Sequence, residues 1–181
     1  TPKQLQVSDI DLDGKLDILA VCEGSNGVFV HLGDGLGGFG TGTLLSVGTG
    51  PTALALADVN ENGVADLAVA STSTNTIEVL LGQGGGTFAA PVSNAVGAAP
   101  VALTIGDYND DCRLDIVAAC RDSNTLAFLP GTATGSFAGF VSVAVGTSPR
   151  IVLSSDLNSD LMLDLITANF TSNDVSVALY P

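Results

Sequence analysis

Four stretches of this 181-residue chain place oxygen-bearing side chains at alternate positions of a short loop. The first carries Asp9, Asp11, Asp13 and Asp17, with Gly14 and Lys15 between them. The second carries Asp58, Asn60, Asn62 and Asp66, with Gly63 and Val64. The third carries Asp107, Asn109, Asp111 and Asp115, with Cys112 and Arg113, and the fourth Asp156, Asn158, Asp160 and Asp164, with Leu161 and Met162. Numbered from the first Asp, the oxygens stand at positions 1, 3, 5 and 9 every time. Position 7 (Lys15, Val64, Arg113 or Met162) can add a backbone carbonyl, so its side chain is free to vary. Hard oxygen ligands in this pattern suit Ca²⁺, which accepts about six to eight of them in flexible geometry; Mg²⁺ asks for a stricter octahedron. The expectation is up to four Ca²⁺ sites.

The charge balance leads to the same loops. Five Lys and Arg face 19 Asp and Glu, for a net charge of −14, yet 46% of the residues are hydrophobic. Twelve of the 19 acids stand at loop positions 1, 3, 5 and 9. Two carboxylates about 4 Å apart repel by roughly 4 kcal/mol at an effective dielectric near 20, so a loop of this kind calls for a cation. Four Ca²⁺ would leave a net charge of roughly −6. The alternative is a set of solvated, metal-free Asx turns; four of them in one register favour the metal. Gly14 and Gly63 occupy the sharp-turn position, where Cys112 and Leu161 would carry a left-handed strain of about 1–2 kcal/mol. Sites 107–115 and 156–164 are therefore expected to be weaker, and site 58–66, with two carboxylates, weaker than the first.

The loops recur every 49 residues, and so does the rest of the chain. Pro2, Pro51, Pro100 and Pro149 form one column, Asn26, Asn75, Asn124 and Asn173 another, and Phe39, Phe88 and Phe137 a third. The units are 1–49, 50–98, 99–147 and 148–181, within a single domain. In the second unit, strands are expected at 52–57, 67–70, 77–81 and about 91–96, with a Gly-rich turn at 82–86. The third strand keeps one apolar face: Val28, Val30 and Leu32; Ile77, Val79 and Leu81; Val175, Val177 and Leu179. That face is expected to pack against a neighbouring sheet, while Phe29, Glu78, Ala127 and Ser176 alternate with it. The fold class expected is all-β, with β-propeller-type blades of four-stranded antiparallel sheets. A β-solenoid is the alternative, with shorter rungs. The chain stops at Pro181, the counterpart of Asp34, so the last blade lacks its fourth strand and exposes an edge. Two expectations follow: a longer propeller of which this is a piece, or a neighbouring subunit that completes the sheet.

The stretches DIDLDGKLDILAV (9–21), DVNENGVADLAVA (58–70) and LGQGGGTFAAP (81–91) resemble the FG-GAP/VCBS repeat family, the blades of integrin α-subunit propellers and of many secreted proteins. The resemblance implies a Ca²⁺-stabilised propeller, typically seven-bladed and extracellular, that binds another macromolecule. It places the metal loops on one face and ligands at the opposite loops, between strands two and three and strands four and one.

Other features exclude more than they assign. Five cations cannot track a phosphate backbone, which disfavours nucleic acid and anionic membranes, and no apolar run approaches the roughly 20 residues of a membrane span. Cys22, Cys112 and Cys120 form neither a disulfide framework nor a zinc site. His31 reads as a packing residue. Asn169-Phe170-Thr171 is an N-glycosylation sequon, with Asn169 the candidate acceptor. Arg121, Asp122 and Arg150 break the symmetry of the ligand-side loops, as surface charge or as a small anion-binding cluster. An enzyme needs an asymmetric constellation of acid, base or nucleophile, and the repeats supply symmetry. The function expected is a non-catalytic extracellular adhesion or assembly module that binds a protein or a neighbouring subunit. The alternatives are a lectin-like carbohydrate binder and an accessory domain of a secreted polysaccharide- or lipid-acting enzyme.

Overall fold

The computed structural model describes residues 1–179, so Pro181 lies outside the described residues. β-Branched and apolar residues in short alternating runs, punctuated by Gly, Pro and Asn, build four antiparallel sheets. The first contains β1 (Pro2–Ser8), β2 (Asp17–Cys22), β3 (Gly27–His31) and β4 (Thr43–Ser46). The second contains β5 (Pro51–Ala57), β6 (Asp66–Ser71), β7 (Thr76–Leu80) and, after a small hairpin of β8 (Gly82–Gly84) and β9 (Thr87–Phe88), β10 (Val92–Ala95). The third contains β11 (Pro100–Gly106), β12 (Asp115–Cys120), β13 (Thr125–Leu129) and β14 (Val141–Ala144). The fourth contains β15 (Pro149–Ser155), β16 (Asp164–Asn169) and β17 (Asp174–Ala178), with no outer strand among the described residues. A 3-10 turn at Glu23–Ser25 is the only helical element among the described residues, and no helix is long and apolar enough to cross a membrane. Each sheet falls inside one 49-residue unit, as a propeller blade.

The blades stack in sequence order through three apolar layers. Leu19, Val21, Val28 and Val30 of blade one meet Leu54, Leu67, Val69 and Leu80 of blade two. Ala68, Ala70, Ile77 and Val79 on the other face of blade two meet Ile116, Ala118, Ala127 and Leu129 of blade three. Val117, Ala119 and Leu126 then meet Val152 and Leu165 of blade four. Every contact has the same sense: the face of strand three with the constant apolar pattern packs on the alternate face of the next blade. The alternate positions of blades two and three are therefore buried as well, which single-face packing did not anticipate, while Phe29 and Ser176 are half-buried. Ala127 is fully buried, and Glu78 is buried with its carboxylate accepting from the Thr76 and Ser93 hydroxyls at 2.8 and 2.7 Å. The constant face fails to bury in blade four, where Val175, Val177 and Leu179 are each more than half exposed, with no further blade packed on them among the described residues.

The conserved-spacing columns now have structural roles. Asn26, Asn75, Asn124 and Asn173 all take the left-handed conformation at the turn between the second and third strands, which Asn tolerates. Three of them also tie blades together. The side-chain carbonyls of Asn26, Asn75 and Asn124 accept from the backbone N–H of Gly50, Ala99 and Ser148, the residues that open the following blades, at 3.2, 2.8 and 2.8 Å. Phe88 lies against the layer between blades one and two, and Phe137 against the layer between two and three.

Candidate metal centre

Each acidic loop links the first and second strands of its blade, and all four have the same internal wiring. The position 1 carboxylate accepts from the backbone N–H groups of positions 5 and 6 across the turn, and Asp107 and Asp156 each accept from one more, of Asn109 and Ser159. Asp9 takes those of Asp13 and Gly14 at 3.1 and 2.9 Å, and Asp58 those of Asn62 and Gly63 at 3.0 and 2.6 Å. Asp107 and Asp156 repeat this with Asp111 and Cys112, and with Asp160 and Leu161. Position 3 (Asp11, Asn60, Asn109, Asn158) accepts from the position 5 amide at 3.0 to 3.1 Å. Position 5 (Asp13, Asn62, Asp111, Asp160) accepts from the amide of position 7, which is Lys15, Val64, Arg113 or Met162. These bonds fix the backbone whose carbonyl is the remaining candidate ligand.

Position 6 is left-handed in every loop: Gly14 at φ 83°, Gly63 at 84°, Cys112 at 62° and Leu161 at 73°. The strain expected at Cys112 and Leu161 is thus present. Position 4 is left-handed too, and there no glycine relieves it: Leu12, Glu61, Asp110 and Ser159 all have positive φ. Sequence patterning gives no sign of this second strained residue, because its side chain simply points to solvent and varies.

Position 9 has a role the ligand pattern alone did not suggest. Asp17, Asp66, Asp115 and Asp164 are fully or almost fully buried. One oxygen of each accepts from the amide that follows position 1, on Ile10, Val59, Tyr108 or Leu157, at 2.9 to 3.0 Å. The other oxygen of Asp17, Asp66 and Asp115 accepts from Gly33, Gly82 and Gly131, just beyond strand three, at 2.8, 2.7 and 2.8 Å. A single carboxylate thus joins the loop to both neighbouring strands. A Cβ on Gly33, Gly82 or Gly131 would meet the backbone carbonyl oxygen of Leu16, Ala65 or Leu114. The glycine column is what lets strand three close over the loop, and its 49-residue spacing was the signal available in the sequence.

Among the described residues, the first loop brings carboxylate oxygens of Asp9, Asp11 and Asp17 within 4.8 Å of one another. Asp13 is not in that group; its carboxylate holds the Lys15 ammonium at 2.6 Å. In the third and fourth loops, the Asn109 and Asn158 amides donate to Asp111 and Asp160 at 3.1 and 2.7 Å. Desolvation pushes the Asp66 and Asp115 carboxyls above their ordinary 3.8, with Asp58, and Asp111 and Asp107, adding repulsion; backbone N–H bonds work against the rise. Asp11 is raised chiefly by desolvation and further by its three acidic neighbours, whereas the Lys15 partner lowers Asp13. A raised carboxyl binds its proton more tightly in the folded chain than in the unfolded one. Its ionised form therefore opposes folding as pH rises through the folded pKa, and a cation would remove that cost. A carbon-detected NMR titration in chelator should find Asp66 and Asp115 protonating at higher pH than Asp13 and Asp34, the last held down by amides of Leu36 and Gly38. The reverse order would contradict this account.

The remaining candidates are placed clearly. Asn169 is 2% exposed, and its amide nitrogen donates to Asp174 and Ser176 at 2.8 Å each. A glycan needs that nitrogen in solvent, so the sequon is not an attachment site in the folded chain. Cys22, Cys112 and Cys120 are all free, and burial pushes the Cys120 thiol up to about 11, an inert core group. His31 is half-buried, with Nδ1 3.1 Å from the Gly40 carbonyl and its ring beside Phe29, as a packing residue. Arg121 pairs with Asp122 at 3.0 Å, and Arg150 lies over the Phe170 ring at 5.2 Å, so each cation already has an internal partner.

Comparison with known proteins agrees with the fold. The chain is similar to a lectin of Agrocybe aegerita that recognises non-reducing terminal N-acetylglucosamine (20% identity, 93% of this chain and 48% of that chain, TM-score 0.61). It is also similar to a biofilm matrix protein of V. cholerae (17% identity, 98% of this chain and 26% of that one, TM-score 0.60). A third similar structure is the Photorhabdus luminescens Tc holotoxin pore (17% identity, 96% of this chain and 9% of that one, TM-score 0.58). The chain thus spans less than half the length of each of these three. Comparison with curated proteins finds no match. A family model for the FG-GAP-like repeat matches residues 9–69 and 62–118, across three of the four acidic loops. Motif, period and blade architecture converge on one assignment: this chain belongs to the FG-GAP-like repeat family.

Proposed function

We propose that this chain is a non-catalytic, Ca²⁺-stabilised extracellular binding module whose blades rigidly display loops to a protein or glycan. The observation that carries this reading is the shared wiring of the four acidic loops, with the Asp9, Asp11 and Asp17 carboxylates converging in the first. The donor set is all hard oxygen, which fits Ca²⁺ and gives no soft or nitrogen ligand for a transition metal. The residues that would hold it are Asp9, Asp11, Asp13, Asp17 and the Lys15 carbonyl, and their counterparts in the other loops. Its contribution would be charge neutralisation between strands one and two, not chemistry on a substrate. Similarity to a lectin and to a matrix protein supports a binding role, and the lectin favours a glycan as the second reading of the ligand.

Native mass spectrometry and calorimetry with and without Ca²⁺ test the metal reading together. The chain should bind up to four ions, the first loop most tightly, and its melting temperature should rise with Ca²⁺ as ligand linkage requires. Equal masses and equal melting temperatures in millimolar Ca²⁺ and in chelator would refute it. Glycan-array binding that chelation abolishes would select the lectin reading.

A further inference from the structure

The acidic loops lie at the junctions between blades, and the following blade helps to shape them. Position 2 of the first three loops is a core residue. Ile10 is buried in the layer between blades one and two, Val59 in the layer between two and three, and Tyr108 in the layer between three and four. The amide of each donates to the position 9 carboxylate, so the wiring of the loop reaches into the packing of the next blade. The Gly-rich turn of that next blade then comes up against position 3. A Cβ on Gly135 of blade three would lie 2.9 Å from the Cβ of Asn60 in the second loop. A Cβ on Gly86, the same position of blade two, would lie 3.7 Å from the Cβ of Asp11 in the first loop and 2.8 Å from the Cδ2 methyl of Leu32. Both glycines are left-handed, at φ 70° and 72°.

The two turns differ in stiffness. Gly84, Gly85 and Gly86 are three left-handed glycines in succession. The turn at 132–136 is braced instead: the Gly135 N–H donates to the Thr132 carbonyl at 3.0 Å, and the Thr132 hydroxyl to the Ser136 carbonyl at 2.9 Å. The braced turn stands beside the loop with the fewest charges, where Asp58 and Asp66 are the only carboxylates at the ligand positions and Asn60 offers a neutral oxygen. We propose that Gly135 is a positioning residue for the second metal loop, its backbone holding Asn60 in place as a ligand, so that cation binding in blade two and docking of blade three support each other. This rests on the Ca²⁺ reading of the loops. It makes the cation a stabiliser of the junction between blades as well as of the two strands that its loop connects.

Backbone NMR of the 181-residue chain titrated with Ca²⁺ reads the loops separately, through the amides of Asp13 and Gly14 and those of Asn62 and Gly63. Gly135→Ala should weaken binding in the second loop by about tenfold or more, the scale expected when a group that orients a metal ligand is displaced. The first loop should stay within about twofold of wild type. Gly84→Ala is the control for backbone strain: it is left-handed at φ 83° with nothing within 4 Å of its Cβ, and should leave both loops within about twofold. A second readout needs no substitution. Because coupling is reciprocal, saturating Ca²⁺ should slow hydrogen exchange of the buried Gly135 amide, whose bond is to Thr132 of its own blade. Unchanged affinity of the second loop in Gly135→Ala, an equal loss in both loops, or a Gly135 amide whose exchange ignores Ca²⁺ overturns the role of Gly135 and leaves the Ca²⁺ reading standing. A wild-type chain in which no loop amide responds to Ca²⁺ overturns both.

Discussion

Replacing Gly131 with alanine is expected to lower stability by about 3 kcal/mol or more, among the largest effects of any single methyl added to this chain. The new Cβ would lie 2.1 Å from the carbonyl oxygen of Leu114 and 3.0 Å from its carbonyl carbon. The obstruction is backbone, so no rotamer change relieves it. Moving strand three outward would instead stretch the 2.8 Å bond from the Gly131 amide to Asp115, and that carboxylate is fully buried. For a chain of this size a loss of about 3 kcal/mol corresponds to a melting temperature lowered by roughly 6–12 °C. Gly139→Ala is the internal control: nothing lies within 4 Å of its Cβ and its backbone is not left-handed, so its melting temperature should stay within about 2 °C of wild type. Thermal unfolding by circular dichroism measures both. A Gly131→Ala variant as stable as Gly139→Ala would mean that the closure of strand three over the loop is not a fixed feature of the blade.

That prediction marks the boundary between what patterning could and could not reveal. The 49-residue period made the blades, their strands and the loop positions legible, because period-two alternation and Gly, Pro and Asn punctuation are local signals. Strand limits agree to within a residue or two: 52–57 and 67–70 against Pro51–Ala57 and Asp66–Ser71. What patterning missed depends on contacts between segments. Glu78 reads only as one of the varying residues on an alternating strand, yet it is buried on the face of blade two that packs on blade one. Asn169 reads as a glycan acceptor, yet it ends β16 under the turn that carries Asp174. The burial of position 9 was equally hidden, since a ligand carboxylate and a strand-joining carboxylate look alike in a motif. The left-handed residues at position 4 leave no mark at all, because Leu12, Glu61, Asp110 and Ser159 share nothing but their backbone.

The double role of position 9 separates two substitutions that a ligand list would treat alike. Asp115→Asn should destabilise the chain by about 3 kcal/mol with or without Ca²⁺. Its two oxygens accept from Tyr108 and Gly131 amides at 3.0 and 2.8 Å, and an asparagine brings one oxygen and one NH₂. One of those amides would then face another donor in a buried site, losing its bond and incurring its desolvation cost. Asp111→Asn removes the same charge from the same loop, but Asp111 is exposed: the asparagine oxygen can keep the Arg113 amide bond, and water can replace the exposed bond from the Asn109 amide to the other oxygen. In chelator this second variant should therefore melt within about 2 °C of wild type, and its deficit should emerge as a smaller rise on adding Ca²⁺. Differential scanning calorimetry of both variants in chelator and in millimolar Ca²⁺ resolves the four values. If Asp115→Asn matched Asp111→Asn in chelator, position 9 would be a ligand and nothing more. If neither variant altered the response to Ca²⁺, the third loop would hold no metal, and its acids would serve only to shape the turn.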